Sequence, residues 1–170
     1  NNKGIRVVPI ERGGDITFHG PGQLVVYPII DLRAMSISVV EYVDALVDVM
    51  VRTAACWGIA AHGDPNQRGA WVKERKLGSV GITIRHGISF HGLALNVCND
   101  LTPFEWINPC GIQSCRMTSF EVEAGRRVEM MAVRRELVQQ LGELLQLHFE
   151  PIALETLKNI MANDGHHSIE

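Results

Sequence analysis

The chain has 170 residues, of which 46% are hydrophobic and 21% are charged, and its formal net charge is −3. This length is enough for one domain with a sizeable core, and the composition is too apolar for a disordered chain. The near-neutral charge gives no reason to expect nucleic-acid binding, and no apolar run approaches the roughly 18–20 residues needed to cross a membrane.

The first predicted elements are two short strands on either side of a glycine-rich stretch. Residues 5–10 are predicted to form a strand, and the mostly apolar residues 24–32 to form one buried on both faces, although Pro28 is more typical of a bulge or a sheet edge. Between them, RGGDITFHGPGQ at 12–23 contains four glycines, which allow a ligand to approach the backbone closely. Its spacing fits no phosphate-binding motif, so it is either a pair of tight turns or a ligand-binding loop.

A change of period at Ser38 predicts the first helix. Apolar residues then recur every three or four positions and form one stripe, made of Val39, Val43, Leu46, Met50, Ala54 and Trp57. Either Ser36 or Ser38 can cap the start of this helix, and Gly58 can close its end.

The middle of the chain predicts strands joined by turns. Residues 62–69 have the composition of a turn, and strands are expected at 70–72, 77–85 and 88–97. His86-Gly87 stands between two alternating runs, which favours a tight hairpin and an antiparallel pairing.

The last predicted elements are helical. Thr102, Pro103 and Glu105 have the cap, first-turn proline and reciprocal glutamate of a short helix, which Asn108-Pro109 would stop. A long helix is expected over about residues 130–148, with one side formed by Met131, Leu137, Leu141, Leu144, Leu145 and Phe149. Strands mixed with two long helices predict an α+β (mixed-sheet α/β) domain.

The four cysteines suggest a reducing compartment rather than a disulfide-bonded fold, and no secretory signal precedes them. Cys56 and Cys98 lie within apolar patterns and are expected in the core. Cys110, in the sequence NPCGI, is either a half-buried turn residue or an accessible nucleophile. Cys110 and Cys115 with His19 or His91 would give enough metal donors, but there is no C-x-x-C pair and no second paired site, so no metal site is expected.

A local cluster of basic residues consists of Arg68, Lys73, Arg75, Lys76 and Arg85. Such a cluster is most often a solvated face, and a functional one would attract an acidic protein partner. Lys76 differs from the others because it begins a strand-like segment, where its amine can point into a pocket and act as a base. His19 and His91 are each followed by glycine and could form part of a pocket wall.

Four segments in this order, RGGDITFHGPGQL, KLGSVGI, HGLALNV and NPCGI, resemble the lipoyl(octanoyl) transferases of lipoate synthesis. The resemblance covers about residues 5–125. It implies a fold like that of biotin and lipoate protein ligases, a mixed sheet flanked by helices. It also implies a single catalytic domain over residues 1–157 that lacks the family's N-terminal segment, followed by a polar tail at 158–170.

The resemblance further implies a cytoplasmic enzyme that needs no cofactor or metal. Octanoyl would move from octanoyl-acyl carrier protein to Cys110, with Lys76 lowering the pKa of the thiol and handling protons. It would then move to a lysine of the lipoyl domains of 2-oxoacid dehydrogenase complexes or of the glycine cleavage H protein. The substrate pocket would be formed by three segments: Arg12, Gly13, Gly14, Asp15, Ile16, Thr17, Phe18 and His19; Ser79, Val80 and Gly81; Gly92, Leu93 and Ala94.

Two other functions are compatible with the same fold. One is an ATP-dependent lipoate or biotin protein ligase, which would need a nucleotide site and no nucleophilic cysteine. The other is a non-catalytic module that binds lipoyl domains. The presence of both Lys76 and Cys110 favours the transferase over either alternative.

Overall fold

The computed structural model describes residues 4–107 and 115–164, except for the side chains of residues 163 and 164. The described strands are β1 (Gln23–Val26), β2 (His62–Gly63), β3 (Gly69–Val72), β4 (Arg75–Arg85), β5 (Ile88–Asn96) and β6 (Arg116–Met117). They form one sheet in the order β1–β5–β4–β3–β2, with β6 paired to β4. The β4–β6 pair is parallel and the other pairs are antiparallel, so the predicted mixed sheet is confirmed.

The described helices are α1 (Val39–Ala55), a 3₁₀ helix (Thr102–Trp106), α2 (Phe120–Ala124), α3 (Met130–Leu145) and α4 (Leu154–Asp164). The core lies where α1 packs between the sheet and α3, and its fully buried members include Tyr42, Leu46, Met50, Leu77, Leu95, Val133 and Leu137. No helix within the described ranges combines the length and the apolar composition required to cross a bilayer.

The start of α1 is fixed by Ser38 rather than Ser36. Ser38 Oγ accepts a hydrogen bond from the Glu41 backbone N–H at 3.2 Å, and the Glu41 carboxylate accepts one from the Ser38 N–H at 2.7 Å. Hydrogen bonds from Ser38 to the ionised carboxylate lower the pKa of Glu41. Beyond the other end of α1, Gly58 has a φ of +73°, which fits its predicted place at the helix end.

The predicted hairpin is confirmed between β4 and β5. His86 and Gly87 have φ values of +51° and +85°, as required by a two-residue turn that matches the twist of the strands. The hairpin brings Ser79 opposite Ala94 and Gly81 opposite Gly92, with the Val80–Leu93 pair between them, so small residues follow one another on one face of the sheet.

Of the two strands predicted near the N-terminus, the first is absent and the second is present but shorter and at the sheet edge, the alternative indicated by Pro28. Residues 5–10 form no strand, because apolar side chains alone do not provide the backbone partners that a strand needs. The second strand, β1, ends at Val26 and lies at the sheet edge, with Val25 37% exposed rather than buried on both faces. Pro28 has no N–H for the ladder, and its carbonyl instead accepts hydrogen bonds from the Tyr42 and Ser89 hydroxyls.

The helices of the C-terminal half differ from prediction at their ends. The short helix after residue 101 is a 3₁₀ helix without the predicted capping by Thr102, and the Asp100 carboxylate instead accepts from the Thr102 N–H at 2.9 Å. The long helix α3 ends at Leu145 because Gln146 adopts a left-handed conformation. Phe149 lies beyond this end and is 40% exposed. Met131 lies within α3 but is 46% exposed, so neither residue joins the buried stripe.

Helix α4 runs across residue 157, where the predicted domain would end. All side chains described from residue 151 onward are exposed. The division into a domain at 1–157 and a tail at 158–170 stays a prediction.

Candidate active site

A cleft of about 340 Å³ opens on the sheet beside the glycine-rich segment, and Val43 of α1 also lines it. Its floor is formed by β1, β4 and β5, and its walls by the glycine-rich segment and the loop before β3. Apart from Lys76, the predicted site residues that line it are Arg12, Gly13, Gly14, Thr17, His19, Ser79, Val80, Gly81, Gly92, Leu93 and Ala94. Three segments far apart in the chain are therefore brought together as the sequence motifs suggested.

The glycine-rich segment lies directly against the outer edge of β4. The Gly13 N–H donates to the Ile82 carbonyl at 2.8 Å, and the Arg12 guanidinium bonds the Gly13 and Asp15 carbonyls at 3.1 and 2.8 Å. A Cβ on Gly81 would lie 3.0 Å from Arg12 Cδ and 3.1 Å from the Gly13 carbonyl oxygen. A glycine at position 81 thus allows the segment to approach the sheet and form one wall of the cleft.

Three predicted residues of the glycine-rich segment do not line the cleft. The Asp15 carboxylate accepts a hydrogen bond from the adjacent Ile16 backbone N–H at 2.7 Å, and the Ile16 side chain is exposed. Phe18 instead makes an edge-to-face contact with Phe104, with ring centroids 5.7 Å apart. The chain bends at residues 13–15, and Asp15 and Ile16 lie at the end of this bend, outside the cleft.

Lys76 is 1% exposed and its side chain also lines the cleft. Its Nζ lies 5.1 Å from the centroid of the Trp71 ring, and the Trp71 indole N–H is held by the Gln67 carbonyl at 2.8 Å. A Cβ at Gly69 would lie 2.8 Å from Lys76 Cε, so this glycine leaves room for the lysine stem. No carboxylate in the described part of the chain forms an ion pair with Lys76.

Both predicted wall histidines line the cleft. His19 Nδ1 lies 2.7 Å from Gln23 Oε1. His91 has a φ of +60°, which is uncommon for a residue with a side chain, and its ring meets Tyr27 edge to face at 5.6 Å. His19 lies in the glycine-rich segment and His91 in β5, so the two rings reach the cleft from different elements and have different partners.

The cysteines require one correction. Cys56 and Cys98 are exposed rather than in the core, because each follows the end of its helix or strand. Partial desolvation raises the pKa of both thiols, with further increases from Glu136 at Cys56 and from Glu121 at Cys98. Cys110 lies outside the described residues. Over residues 4–107 and 115–164, no three metal-ligating side chains lie close enough together to hold an ion.

The basic cluster does not form a common positive surface. Arg68 pairs with Asp44, Arg85 with Glu11, and Arg75 with Glu123 at 2.9 Å. Each of these three arginines therefore has its own carboxylate, while Lys76 is buried and Lys73 is exposed.

Some cleft residues were not predicted from the sequence, namely Ile10, Val25, Tyr27, Val43, Asn66, Gln67, Arg68 and Ile82. The alternation that begins in β1 could have indicated Val25 and Tyr27 once the cleft face of the sheet was known. Asn66 and Gln67 belong to a turn whose composition gives no sign of a ligand.

The family model described as lipoyl protein ligase A/B catalytic domain matches residues 1–142. An octanoyltransferase from Desulfotalea psychrophila is 48% identical over 144 residues, covering 84% of this chain and 65% of the relative. Another from Geobacter metallireducens is 46% identical over 142 residues, covering 84% and 67%. The chain thus spans about two thirds of the length of these curated relatives.

Solved structures with the same fold are more distant in sequence. Lipoate-protein ligase A bound with ATP superposes with a TM-score of 0.73 at 18% identity, covering 96% of this chain and 68% of the other. The biotin protein ligase from Aquifex aeolicus gives 0.56 at 15% identity, covering 74% and 53%. These structures confirm the predicted ligase-like fold. The family match and the curated relatives confirm the resemblance inferred from the motifs. The chain belongs to the lipoyl protein ligase A/B catalytic-domain family.

Proposed function

We propose that this protein is an acyltransferase that moves an octanoyl group from octanoyl-acyl carrier protein to a lysine of a lipoyl domain. A thioester on Cys110 would be the intermediate, and Lys76 would lower the pKa of the Cys110 thiol and handle protons. The observation that carries the proposal is a buried lysine amine on an apolar cleft, in a chain 48% identical to an octanoyltransferase.

The cleft suits a medium-length acyl chain. Its volume of about 340 Å³ is near the lower end of the range of roughly 300–1,000 Å³ usual for small-ligand sites. Val25, Val80, Ile82 and Leu93 supply apolar surface, and each buried methylene contributes about 0.8 kcal/mol. The depth of the cleft could therefore select the length of the acyl chain.

The chemistry divides one transfer between two proteins into two thioester reactions. In the first, the Cys110 thiolate attacks the donor thioester, the new C–S bond forms, and the donor sulfur leaves as a thiolate that takes a proton from the Lys76 ammonium. In the second, the acceptor amine attacks the new thioester and the Cys110 thiolate leaves. A cation beside a cysteine favours the thiolate, which is the role proposed for Lys76.

The proposed partners are the octanoyl-acyl carrier protein as donor and, as acceptors, lipoyl domains of 2-oxoacid dehydrogenase complexes and the glycine cleavage H protein. The names of the curated relatives support octanoyl transfer. A cytoplasmic location is part of the proposal, and exposed thiols at Cys56 and Cys98 suit a reducing compartment.

A transfer assay tests the proposal against its alternatives. The protein is mixed with an unmodified lipoyl domain and either octanoyl-acyl carrier protein alone or free octanoate with ATP. We expect octanoylation of the domain with the carrier-protein donor and none with octanoate and ATP. Octanoylation only with ATP would point to a ligase, and binding of the domain without any modification to a non-catalytic module; either result would contradict the proposal.

A further inference from the structure

A chain of side-chain hydrogen bonds runs from the cleft into the protein interior. His19 Nδ1 lies 2.7 Å from Gln23 Oε1, Gln23 Nε2 donates to Asn96 Oδ1 at 2.9 Å, and Asn96 Nδ2 donates to the Thr118 carbonyl at 3.0 Å. Asn96 is 1% exposed and Thr118 is fully buried. The chain thus begins at a residue that a ligand can reach and ends at a buried backbone carbonyl.

The strand register explains why the two amides meet. Gln23 in β1 and Asn96 in β5 are directly paired across the sheet. Each lies two residues along its strand from a second pair, Val25 and Ala94. Because alternate residues on a strand face the same side, both amides lie on the cleft side of the sheet.

The Thr118 carbonyl is a fixed end point. The N–H of Thr118 donates to the Lys76 carbonyl at 2.9 Å, and its hydroxyl donates to Glu123. Glu123 in turn accepts from Arg75 at 2.9 Å. The peptide that bears the acceptor at the end of the chain is therefore held from several directions.

This end point sets the direction of every hydrogen bond in the chain. A backbone carbonyl only accepts, so Asn96 must present its Nδ2 to Thr118 and its Oδ1 to Gln23. Gln23 must then present Nε2 to Asn96 and Oε1 to His19. Asn99 Nδ2, 3.3 Å from Asn96 Oδ1, supplies a second donor to the same oxygen and agrees with this direction. Since Gln23 Oε1 only accepts, the proton of neutral His19 lies on Nδ1.

We propose that Gln23 and Asn96 are positioning residues that hold neutral His19 in the Nδ1–H tautomer. Nε2 is then the unprotonated nitrogen of a ring that lines the cleft, and it can accept a proton or a hydrogen bond there. This inference rests on the proposed octanoyl transfer and assigns a role to His19 within it.

The tautomer suits the second half-reaction and not the first. In the first, the departing donor thiolate needs a proton, which an unprotonated Nε2 cannot supply. In the second, the neutral acceptor amine forms a C–N bond to the thioester carbon, and the C–S bond breaks with its electron pair leaving on the Cys110 sulfur. The proton released from the nitrogen passes to His19 Nε2, and Gln23 Oε1 continues to accept from Nδ1–H in the imidazolium.

Nitrogen NMR of the His19 ring tests the hydrogen-bond chain without any use of activity. The spectrum distinguishes protonated from unprotonated ring nitrogens. In the wild type, at a pH where His19 is neutral, we expect the proton on Nδ1. Gln23→Leu should shift the population towards Nε2–H, and Gln139→Leu, which removes a surface glutamine bonded to Glu143, should not. A wild-type ring protonated mainly on Nε2, or an unchanged tautomer in Gln23→Leu, would overturn the proposal.

A conservative variant separates loss of the acceptor from loss of packing. Gln23→Glu keeps an oxygen that can accept from Nδ1–H but loses the donor to Asn96 Oδ1, so this variant should retain more of the Nδ1–H tautomer and more activity than Gln23→Leu. Equal loss of the Nδ1–H tautomer in both variants would contradict the assigned role of the Gln23 oxygen.

Kinetics of the octanoylated enzyme test the effect on the reaction. The acceptor domain is added to the pre-formed thioester, and Gln23→Leu should slow the transfer by about 10-fold or more. In a serine protease, loss of the group that sets the tautomer of the catalytic histidine lowers the catalytic rate by up to about 10⁴-fold. Formation of the thioester should change little. In a His19→Phe background, the same substitution should have almost no further effect. Slowing of both half-reactions equally, or additive effects of the two substitutions, would overturn the role of Gln23 through His19.

The same experiments distinguish failure of this inference from failure of the proposed function. A wild-type protein that transfers no octanoyl group would contradict the proposed function, while the NMR result would still decide whether the hydrogen-bond chain sets the tautomer. Wild-type transfer with unaltered kinetics in Gln23→Leu would contradict this inference alone.

Discussion

A lysine side chain that is 1% exposed is unusual, because burial of an ammonium is costly unless its charge is balanced. In the described part of the chain, Lys76 has an indole face as its partner and no carboxylate. A titratable residue in such an environment at a cleft is a candidate for a catalytic role rather than for a stabilising one.

Replacement of Lys76 by methionine separates these two roles. Lys76→Met keeps the length of the side chain and removes the amine. We expect folding stability to be unchanged or higher, since replacement of a buried charge by apolar atoms is often neutral or stabilising by about 1–4 kcal/mol. Thioester formation at neutral pH should slow by about 10²-fold and recover partly at higher pH, because a thiol without a nearby cation ionises less readily.

Denaturant unfolding and single-turnover acylation measure the two effects. Lys73→Met, the same substitution at an exposed turn position, is the control and should alter neither. Loss of stability with unchanged acylation in Lys76→Met would mean that the amine serves the fold alone.

The sequence predicted the location of Lys76 but not of every candidate residue. Its place at the entrance of a strand indicated a pocket, and the structure brings it to the cleft. Cys56 and Cys98 were placed in the core because their neighbours are apolar, yet both follow the end of an element and are exposed. Periodicity no longer determines the facing of a side chain once its helix or strand has ended.

Helix α1 is the element whose limits depend most clearly on local sequence. Ser38 forms the reciprocal capping pair with Glu41, while Ser36 lies two residues earlier with a φ of +54°. The sequence left both serines as possible caps, since either hydroxyl could reach the first turn of the helix.

Substitution of each serine distinguishes them. Ser38→Ala should lower the free energy of unfolding by about 1 kcal/mol, within the usual 0.5–2 kcal/mol for loss of an N-cap. Ser36→Ala should leave it nearly unchanged. Urea unfolding of the two variants beside the wild type gives the comparison, and an equal loss from both would contradict the capping by Ser38.

Elements with a local signal were predicted best. The His86-Gly87 hairpin and the α1 stripe each depend on residues close in sequence. The hairpin is confirmed, and Leu46, Met50 and Ala54 of the stripe are buried, while Val39 at its start is 47% exposed. The predicted strand at residues 5–10 failed because a strand also depends on a partner that sequence alone does not supply. The end of α3 was missed because Gln146, not glycine, adopts the left-handed conformation there.

At the scale of the whole molecule, the cleft is a product of tertiary structure. The β4–β5 hairpin provides a floor of small residues, and the glycine-rich segment bonds to β4. Helix α1 packs on the sheet through the hydrophobic core. The motifs predicted most of the lining from these segments. They could not predict contributions such as Asn66 and Gln67, which reach the cleft only because β3 pairs with β4.

The central claim is that Cys110 carries the octanoyl group between two proteins, and intact-mass spectrometry tests it most directly. After incubation with octanoyl-acyl carrier protein, the wild type should gain the mass of one octanoyl group, and hydroxylamine should remove it. Cys98→Ser, which removes an exposed thiol, should gain the same mass, and Cys110→Ser should gain none. No adduct on the wild type, or an equal adduct on Cys110→Ser, would contradict the account.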